Sequence, residues 1–253
     1  MGKQEAIPLP VPGSPAGTLL VSETFLSLQG EGKLAGVPSY FIRVSGCNLR
    51  CGWCDTPYAS WSPEGVVRTV DSLVAEAAAS GAGHVVVTGG EPMIFAAVES
   101  LAAGLRAAGL HITVETAGTV HRDVACDLMS ISPKLANSVP GTAEKPDARD
   151  PGGVWRARHE QRRIDIAALQ ALVSGYPERQ LKFVVSAPGD LAEIEALLAR
   201  IRGWSDGDVL LMPEGVAPPT QDVRRWLAAE CVRRNWRYCP RLHIELFGNR
   251  RGT

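Results

Sequence analysis

The chain has 253 residues, of which 45% are hydrophobic and 21% charged, a composition typical of a globular protein with a sizeable core and not of a disordered one. Its formal net charge of -1 argues against the basic surface of a nucleic-acid or anionic-membrane binder and favours a small substrate. The sequence has neither an apolar run long enough to span a bilayer nor a secretory leader, so we expect a cytoplasmic protein.

The first segment, residues 1–17, is rich in Pro and Gly and has no apolar period, which predicts a flexible leader ahead of a single domain over residues 18–253. From Ser39 onward, stretches that predict strands alternate with stretches that predict helices. Strands are predicted at residues 40–44, 84–87, 111–115, 127–131, 181–185 and 208–212. Helices are predicted at residues 70–80, 95–108, 164–173, 190–201 and 221–234. This alternation indicates parallel β/α units, with helices covering a sheet.

The stretch at residues 137–163 carries Gly, Pro and many charges without a clear period, so we interpret it as a long loop or an insertion into the domain. In parallel β/α folds the functional residues follow the carboxyl ends of strands. The unusual motifs of this sequence all lie at the ends of predicted strands, at residues 45–56, 88–92, 115–116, 132–134 and 213–214. We therefore expect them to meet at one edge of the sheet.

Three of the six cysteines, Cys47, Cys51 and Cys54, fall within eight residues. Thiolates are the ligands of iron-sulfur clusters, and three of them on a 4Fe-4S cube leave one iron open to an outside ligand. A zinc site closed by Asp55 and simple packing of the thiols in a turn are the alternatives. In a reducing compartment we assign the scattered cysteines to packing rather than to disulfides. They are Cys126, Cys231 and Cys239.

The spacing of the clustered cysteines, with the aromatic Trp53 before the last one, resembles the signature of the radical S-adenosylmethionine superfamily. The resemblance implies a partial (β/α)6 barrel, in which the amino and carboxylate groups of S-adenosylmethionine chelate the open iron. It also implies that one electron from the cluster cleaves the sulfonium to give a 5'-deoxyadenosyl radical. The protein then needs no catalytic base, and its task is to orient the substrate and to exclude water and oxygen.

Flanking motifs narrow the resemblance to the 7-carboxy-7-deazaguanine synthase family. The likeness runs from about Val21 to the end of the chain and is weakest at residues 137–163. The motifs are Ser-Leu-Gln-Gly-Glu-Gly at 27–32, Phe-Ile-Arg at 41–43, Cys-Asp-Thr at 54–56, Thr-Gly-Gly-Glu-Pro at 88–92, Ser-Pro-Lys at 132–134, Arg-Leu-His at 241–243 and Gly-Asn-Arg-Arg-Gly at 248–252. The family resemblance implies conversion of 6-carboxy-5,6,7,8-tetrahydropterin to 7-carboxy-7-deazaguanine with loss of ammonia, in queuosine or other deazapurine biosynthesis.

The same resemblance implies which residues form the site. Cluster ligands are Cys47, Cys51 and Cys54, and Thr56 is implied as the ligand of a magnesium ion. Residues implied to bind S-adenosylmethionine are Trp53, Cys54, Asp55, Gly90, Glu91, Ser132, Pro133 and Lys134. Residues implied to bind the pterin are Leu28, Gln29, Gly30, Arg43, Thr88 and Thr253.

Several of these side chains suit the implied roles chemically, yet each also has a simpler explanation. The Arg43 fork fits the substrate carboxylate, and it equally fits an ion pair at the surface. Gln29, with Gly30 and Gly32 after it, suits a flat heterocycle or an ordinary glycine-rich turn. Lys134 can meet an anion or stay solvated, and the Thr56 hydroxyl can bind magnesium or belong to a turn before Pro57. His111 is expected to be structural. No role is assigned to Glu115, Glu214, His159 or His243.

The implied partners are the pterin substrate, a reductase or flavodoxin that donates electrons, and a second copy of the chain in a homodimer, without nucleic acid or membrane. One alternative is another enzyme of the same superfamily, such as a glycyl-radical activase, whose barrel must stay open for a protein substrate. Another alternative is a zinc-stabilised binding module without catalysis.

Overall fold

The computed structural model describes residues 17–253, so the leader predicted for residues 1–17 lies outside the described residues apart from Gly17. Nine strands in that part of the chain form one continuous sheet. They are β1 (Thr18–Leu28), β2 (Pro38–Val44), β3 (Val66–Thr69), β4 (His84–Gly89), β5 (His111–Thr116), β6 (Leu128–Ile131), β7 (Arg179–Val185), β8 (Val209–Pro213) and β9 (Arg237–Tyr238).

Eight α-helices accompany the sheet in residues 17–253. They are α1 (Pro57–Ser60), α2 (Val70–Ala79), α3 (Ala97–Ala107), α4 (Val154–Arg162), α5 (Ile166–Gly175), α6 (Gly189–Leu198), α7 (Gln221–Arg234) and α8 (Leu242–Phe247). The helices α2, α5 and α7 begin at residues whose side chains accept a backbone N–H of the first turn, namely Thr69, Asp165 and Thr220, as good N-caps do. No helix in these residues has the length and apolar character needed to cross a membrane.

The strands run in the order β3-β1-β2-β4-β5-β6-β7-β8-β9. From β2 to β9 every neighbouring pair is parallel, whereas β1 pairs antiparallel with β2 and with β3. The six parallel strands β2, β4, β5, β6, β7 and β8 form the predicted partial (β/α)6 barrel. All their carboxyl ends therefore point to one edge of the sheet, where the site is expected.

One main core lies between the sheet and its helices. The three valines of β4, Val85, Val86 and Val87, are fully buried, as expected for a central parallel strand that is covered on both faces. Phe183 of β7 and Leu101 of α3 are also fully buried. Each such side chain contributes roughly 1.5–3 kcal/mol to the free energy of folding, so apolar burial fixes the strands whose ends carry the polar motifs.

The strands predicted from residue 40 onward all form, and the predicted helices correspond to α2, α3, α5, α6 and α7 with shifted ends. The interpretation of residues 137–163 as a loop was partly wrong, because α4 (Val154–Arg162) lies within them. This helix buries only His159, so it has no apolar stripe and gives no helical period in the sequence. The strands β1, β3 and β9 and the helices α1 and α8 were not predicted either.

A crossing segment, residues 30–34, follows β1 and reaches the opposite end of the sheet. Gly32 N donates to Cys239 Sγ at 3.1 Å, and Lys33 N donates to Gln180 Oε1 at 2.7 Å. Lys33 Nζ also pairs with Asp208 at 3.2 Å. Through these contacts the segment connects the end of β1 to β7 and to residues next to β8 and β9, at the other end of the sheet.

Candidate active site

A cavity of about 300 Å³ lies at the carboxyl edge of the parallel strands. Residues at or just after the ends of β2, β4, β5 and β6 form its wall, together with side chains of β7 and β8. All six barrel strands therefore contribute to one concave site. Its volume is that of a pocket for small molecules.

Most of the residues assigned to the site from the sequence line this cavity. They are Leu28, Gln29, Gly30, Arg43, Cys47, Cys51, Trp53, Cys54, Asp55, Thr56, Thr88, Gly90, Ser132, Lys134 and Thr253. Glu91 and Pro133 are not part of the lining. Of the polar residues left without a role, Glu115 and His243 line the cavity, whereas Glu214 and His159 do not.

Glu91 lies behind the cavity wall and is fully buried. Its Oε1 accepts hydrogen bonds from Met93 N at 3.0 Å and Thr116 Oγ1 at 2.8 Å, and its Oε2 accepts one from Ala117 N at 2.7 Å. Burial raises the pKa of this carboxyl group, although the three donors oppose the shift. Glu91 therefore joins the turn after β4 to the end of β5, and this placement does not support a direct cofactor contact by its carboxylate.

Gly90 is the member of this turn that faces the cavity. A Cβ atom on Gly90 would lie 2.1 Å from the backbone oxygen of Gly46 and 2.6 Å from that of Ala59. Its N–H donates to Val44 O at 3.0 Å. Only glycine permits so close an approach of two backbones, and the contact fixes the turn after β4 against the cysteine loop.

The three thiols of the cysteine loop border the cavity. Burial raises the pKa of the Cys47 thiol to about 12 and also raises the pKa of Cys51. Cys47 Sγ accepts a backbone hydrogen bond from Leu49 N at 3.3 Å, which lowers its pKa by less than burial raises it. The protein alone thus stabilises these thiolates poorly, whereas iron binds thiolate directly and releases the proton.

Within residues 17–253, no group of three or more His, Cys, Asp or Glu side chains has the geometry to hold a single metal ion. Asp55, the fourth ligand of the zinc alternative, has its carboxylate hydrogen-bonded to Arg241 Nη2. The three thiols still face one cavity, and a four-iron cube needs its ligands further apart than a single ion does. The donor set therefore fits a cluster and not a closed zinc site.

Lys134 and Trp53 form the side of the cavity next to the cysteine loop. Lys134 Nζ donates to the backbone oxygen of Ser132 at 2.7 Å and to its Oγ at 2.8 Å, and lies 5.9 Å from the centre of the Trp53 ring. Trp53 Nε1 donates to Asn137 Oδ1 at 3.3 Å. A cation and an aromatic face thus lie together where the cofactor is expected.

Glu115, at the end of β5, organises the opposite side of the cavity. Its Oε2 accepts a hydrogen bond from Thr88 Oγ1 at 2.7 Å, and its Oε1 accepts one from Gln29 Nε2 at 3.3 Å. Gln29 Oε1 in turn accepts Glu31 N at 3.1 Å. Two residues predicted to contact substrate are therefore held in place by a carboxylate that had no predicted role.

Lys182 and Glu31 form a buried ion pair in the cavity wall that sequence reasoning missed. Arg241 Nε also pairs with Glu31 at 3.1 Å. The sequence of β7 did indicate this pair, because the charged Lys182 lies between the apolar residues Leu181 and Phe183. A charged residue inside an otherwise buried parallel strand is unusual and indicates a paired or functional group.

The Glu31–Lys182 pair keeps its charges despite burial. Burial alone would raise the pKa of Glu31, but Lys182 and then Arg241 outweigh it and hold that pKa well below its usual range. Burial alone would lower the pKa of Lys182, but Glu31 and then Glu115 outweigh it and raise that pKa. The wall thus presents fixed charges of both signs to a ligand.

His243, in the C-terminal motif, packs directly on Gly30. A Cβ atom on Gly30 would lie 2.0 Å from His243 Nδ1, and Leu242 N donates to Gly30 O at 2.8 Å. Burial lowers the pKa of His243, although Glu31 opposes the shift. The glycine is therefore needed so that the imidazole of His243 can reach the cavity wall.

Arg43, at the end of β2, is oriented by two neighbours. Its Nε donates to Glu23 Oε1 at 2.7 Å, and Tyr58 Oη donates to the same oxygen at 2.8 Å. The guanidinium also lies 5.6 Å from the centre of the Phe25 ring. Arg43 thus forms an ion pair through Nε that is largely shielded from solvent, and its side chain also lines the cavity.

Thr56 is the residue before α1, and its hydroxyl does not cap that helix. The Oγ1 atom lies 3.8 Å from Cys54 Sγ and belongs to a side chain that lines the cavity. Because the hydroxyl does not cap α1 and its contact with Cys54 Sγ is long, its oxygen can act as a ligand.

The last residues of the chain also border the cavity. Thr253 Oγ1 donates to Arg250 O at 2.9 Å. Arg251 lies 3.6 Å from the centre of the Tyr58 ring and pairs with Glu64. Thr253 lines the cavity, so its position is compatible with the predicted contact with the pterin.

The three scattered cysteines are free thiols away from the cavity lining. Cys231 belongs to the main core and Cys126 packs against it. Cys239 is buried and accepts the hydrogen bond of the crossing segment. Their assignment to packing agrees with these positions.

Comparisons with known proteins agree with this site. The model of the Radical SAM superfamily matches residues 41–137, which include the cysteine loop and the turn after β4. A 7-carboxy-7-deazaguanine synthase of Rhodopirellula baltica is 47% identical over 93% of this chain and 89% of its own length. One of Halobacterium salinarum is 49% identical over 94% of this chain and 93% of its own length.

A solved structure has the same architecture. It is QueE from Escherichia coli, with a TM-score of 0.64 and 26% sequence identity, covering 88% of this chain and 93% of that chain. At 88% of this chain, the match extends well beyond residues 41–137, which the superfamily model covers.

Proposed function

This chain belongs to the 7-carboxy-7-deazaguanine synthase family of radical S-adenosylmethionine enzymes, and on that premise we propose how its cavity holds cofactor and substrate. The enzyme converts 6-carboxy-5,6,7,8-tetrahydropterin to 7-carboxy-7-deazaguanine with loss of ammonia. The observation that carries the proposal is the cavity itself, in which three thiols, that of Cys51 buried and those of Cys47 and Cys54 half-buried, border a wall of fixed positive and negative charges.

The cofactors of the enzyme are a 4Fe-4S cluster and S-adenosylmethionine. When bound, they supply a 5'-deoxyadenosyl radical that removes a hydrogen atom from C6 of the substrate. We assign the cluster to Cys47, Cys51 and Cys54, because their thiols share the cavity and burial disfavours free thiolates at Cys47 and Cys51. We assign S-adenosylmethionine to the side formed by Trp53, Gly90 and the backbone and side chains at residues 132–134, with Glu91 as a support from behind.

For the substrate, we propose that Arg43 binds the carboxylate and that Glu115 accepts N–H groups of the pterin ring. The guanidinium fork suits a carboxylate, and the Glu23 contact through Nε fixes its direction. Glu115 is held by Thr88 and Gln29 on the same wall. Because these groups are already in place, they can orient C6 of the substrate without rearranging during the reaction.

We propose that Thr56 binds a magnesium ion together with substrate oxygens and water. Magnesium accepts few protein ligands if such oxygens complete its octahedron. The Thr56 hydroxyl supports this proposal because it does not cap α1 and lies on the cavity side.

We further propose an electron-donating reductase or flavodoxin and a second copy of the chain as partners, and the reducing cytoplasm as the location. The small-molecule substrate follows from the family, whereas these partners are expectations that the family resemblance suggests. The six free cysteines suit a reducing compartment.

The test is anaerobic incubation of the reconstituted protein with dithionite, S-adenosylmethionine, magnesium and the carboxypterin. We expect 7-carboxy-7-deazaguanine and free ammonia by mass spectrometry and ammonia assay. Cys51→Ala should lose most of its iron and all product, whereas the matched variant Cys126→Ala should retain both. Loss of iron in Cys126→Ala with retention in Cys51→Ala would refute the cluster assignment, and a loaded wild type that forms no deazaguanine would refute the activity.

A further inference from the structure

The connection between β6 and α5 covers the outer side of the cysteine loop. Gly52 N donates to Ser138 O at 2.8 Å, and Arg149 Nη2 donates to Gly52 O at 2.8 Å. Arg149 also lies 4.2 Å from the centre of the Trp61 ring. The stretch that carried no predicted function thus contacts the backbone between two of the cysteines.

His159 of α4 makes the most enclosed of these contacts. It is fully buried, and its Nδ1 accepts the backbone N–H of Arg50 at 3.1 Å. Its Nε2 lies 2.9 Å from Ser138 Oγ, which donates to Leu135 O at 2.6 Å. Since Nδ1 must accept and the Ser138 proton is used on Leu135, Nε2 carries the proton and donates to Ser138.

This chain of hydrogen bonds requires a neutral imidazole. Burial, and secondly the charge of Arg163, lower the pKa of His159 to about 4. His159 is therefore a fixed acceptor for the amide of Arg50 at neutral pH, and its own position is set by Ser138.

Arg50 is a buried cation in the cysteine loop, only 3% exposed. Its Nη1 donates to Cys47 O at 2.7 Å and to Leu49 O at 2.8 Å. Its guanidinium lies 4.0 Å from the centre of the Trp155 ring, a cation–π contact with α4. An arginine keeps its proton in proteins, so a full positive charge is held beside the three thiols.

We propose that α4 holds Arg50 behind the cysteine loop as a fixed cation that sets the reduction potential of the cluster, with His159 and Trp155 as positioning residues. This inference rests on the cluster assignment in the proposed function. No ionised carboxylate is hydrogen-bonded to Arg50 within residues 17–253, so its charge acts on the thiolates, with which it interacts electrostatically.

The direction of the effect follows from charge. Reduction adds one electron from an outside donor and makes the thiolate-bound cluster more negative by one unit. A nearby cation stabilises the more negative state, more strongly in a buried site than in water. Arg50 should therefore make the potential less negative and ease reduction.

The test is a redox titration of the anaerobically reconstituted protein with dithionite, followed by electron paramagnetic resonance of the reduced cluster. Arg50→Gln should shift the midpoint to a more negative potential by about 59 mV or more, equivalent to a tenfold change in a one-electron equilibrium. Arg50→Lys, which retains the charge, should shift it less. The matched control is Arg158→Gln, because Arg158 lies 5.3 Å from the same Trp155 ring but is exposed, and its midpoint should equal that of the wild type.

A second pair of variants tests the positioning role. In His159→Asn the side-chain oxygen can occupy the place of Nδ1 and accept the backbone N–H of Arg50. In His159→Gln the longer side chain places its amide group where Nε2 was, so the backbone N–H of Arg50 loses its acceptor. The midpoint should therefore shift to a more negative potential in His159→Gln and remain closer to the wild type in His159→Asn.

Equal midpoints for Arg50→Gln and Arg158→Gln would overturn the inference while leaving the cluster assignment intact. If Arg50→Gln fails to hold a cluster, the midpoint potentials of His159→Asn and His159→Gln provide the test instead. Equal midpoints for these two variants and the wild type would overturn the inference. A wild type that assembles no cluster would overturn both this inference and the assignment on which it rests.

Discussion

The charged side chains of the cavity wall have partners before a substrate arrives. Arg43 pairs with Glu23, and Glu31 pairs with both Lys182 and Arg241. Removing one member of a buried pair leaves the other as an uncompensated charge. The positions of these groups are therefore fixed by the protein, which suits recognition of a flat polar molecule in one orientation.

The Arg43 assignment can be tested by a change that keeps the charge. In Arg43→Lys a point-like ammonium replaces the fork and cannot contact Glu23 and a substrate carboxylate with the same geometry. We expect the substrate Kd to rise about tenfold, as for loss of one charged hydrogen bond. Binding of S-adenosylmethionine, measured in parallel by calorimetry, is the internal control and should not change. An unchanged substrate Kd in Arg43→Ala would exclude Arg43 from substrate binding.

Thr56→Val tests the magnesium proposal, because valine keeps the β-branched shape but removes the oxygen. Stimulation of deazaguanine formation by magnesium should fall several-fold, while iron content and cleavage of S-adenosylmethionine persist. Thr56→Ser retains the hydroxyl and is the matched control. Deazaguanine and 5'-deoxyadenosine should be measured together across a magnesium titration. A wild-type magnesium response in Thr56→Val would show that any ion is bound elsewhere.

Sequence alone predicted residues that lie together at the cavity where their chemistry is visible in short motifs, such as the three clustered cysteines and Gly90. It did not identify Glu31 and Lys182 as a pair, because the two residues are far apart in the chain and meet only through the crossing segment. It also assigned Glu91 to the cofactor, whereas three donors hold its carboxylate inside the wall. Motifs thus indicate which residues gather at a site, but only packing decides which of them face it.

At the level of elements, one carboxylate fixes the antiparallel edge of the sheet. Glu76 of α2 accepts hydrogen bonds from Thr24 of β1 at 2.7 Å, from Tyr40 of β2, and from Arg68 of β3 at 2.6 Å. Three strands are thereby tied to one helix through a single side chain.

Glu76→Gln should make the stability of the protein less sensitive to acid. The donors, Tyr40 first and then Arg68 and Thr24, lower the pKa of Glu76 to about 2, from 4.5 in the absence of these contacts. Because the folded-state pKa is depressed, the stabilisation is present above pH 4.5 and is lost as the pH falls towards 2. The difference in Tm between wild type and Glu76→Gln should therefore be largest at neutral pH and shrink on acidification.

The control for this experiment is Glu99→Gln on α3, which removes a surface carboxylate with Arg122 as a partner at 3.1 Å. Its effect on Tm should be small at every pH. A difference between wild type and Glu76→Gln that stays constant between neutral pH and pH 3 would contradict the assigned pKa shift.

The elements that the sequence predicted are those with buried apolar faces. β4 shows this clearly, since its valines are all buried. β1 has mostly half-buried side chains, and β3 is largely exposed, so neither gives a strong alternation of apolar and polar residues. α4 gives no signal for the same reason, because tertiary contacts through His159 stabilise it rather than an apolar stripe.

At the level of the whole molecule, a single sheet runs through residues 17–253. We therefore propose that residues 18–253 form one domain and unfold in one transition, with equal calorimetric and van't Hoff enthalpies. Cluster and cofactor bind only the folded state and should raise the Tm without splitting the transition. Two resolved transitions in scanning calorimetry would instead indicate that residues 137–163 or the C-terminal strands form a separate unit.

The crossing segment also has a consequence for how the protein is made on the ribosome. From β4 to β9 each strand pairs with the next in chain order, so the early strands can assemble while later ones are still being synthesised. The cysteine loop emerges early, whereas Gln180, Asp208 and Cys239, which anchor the crossing segment, emerge late. The nascent chain thus presents the cysteine loop before the residues that anchor the far wall of the cavity have been translated.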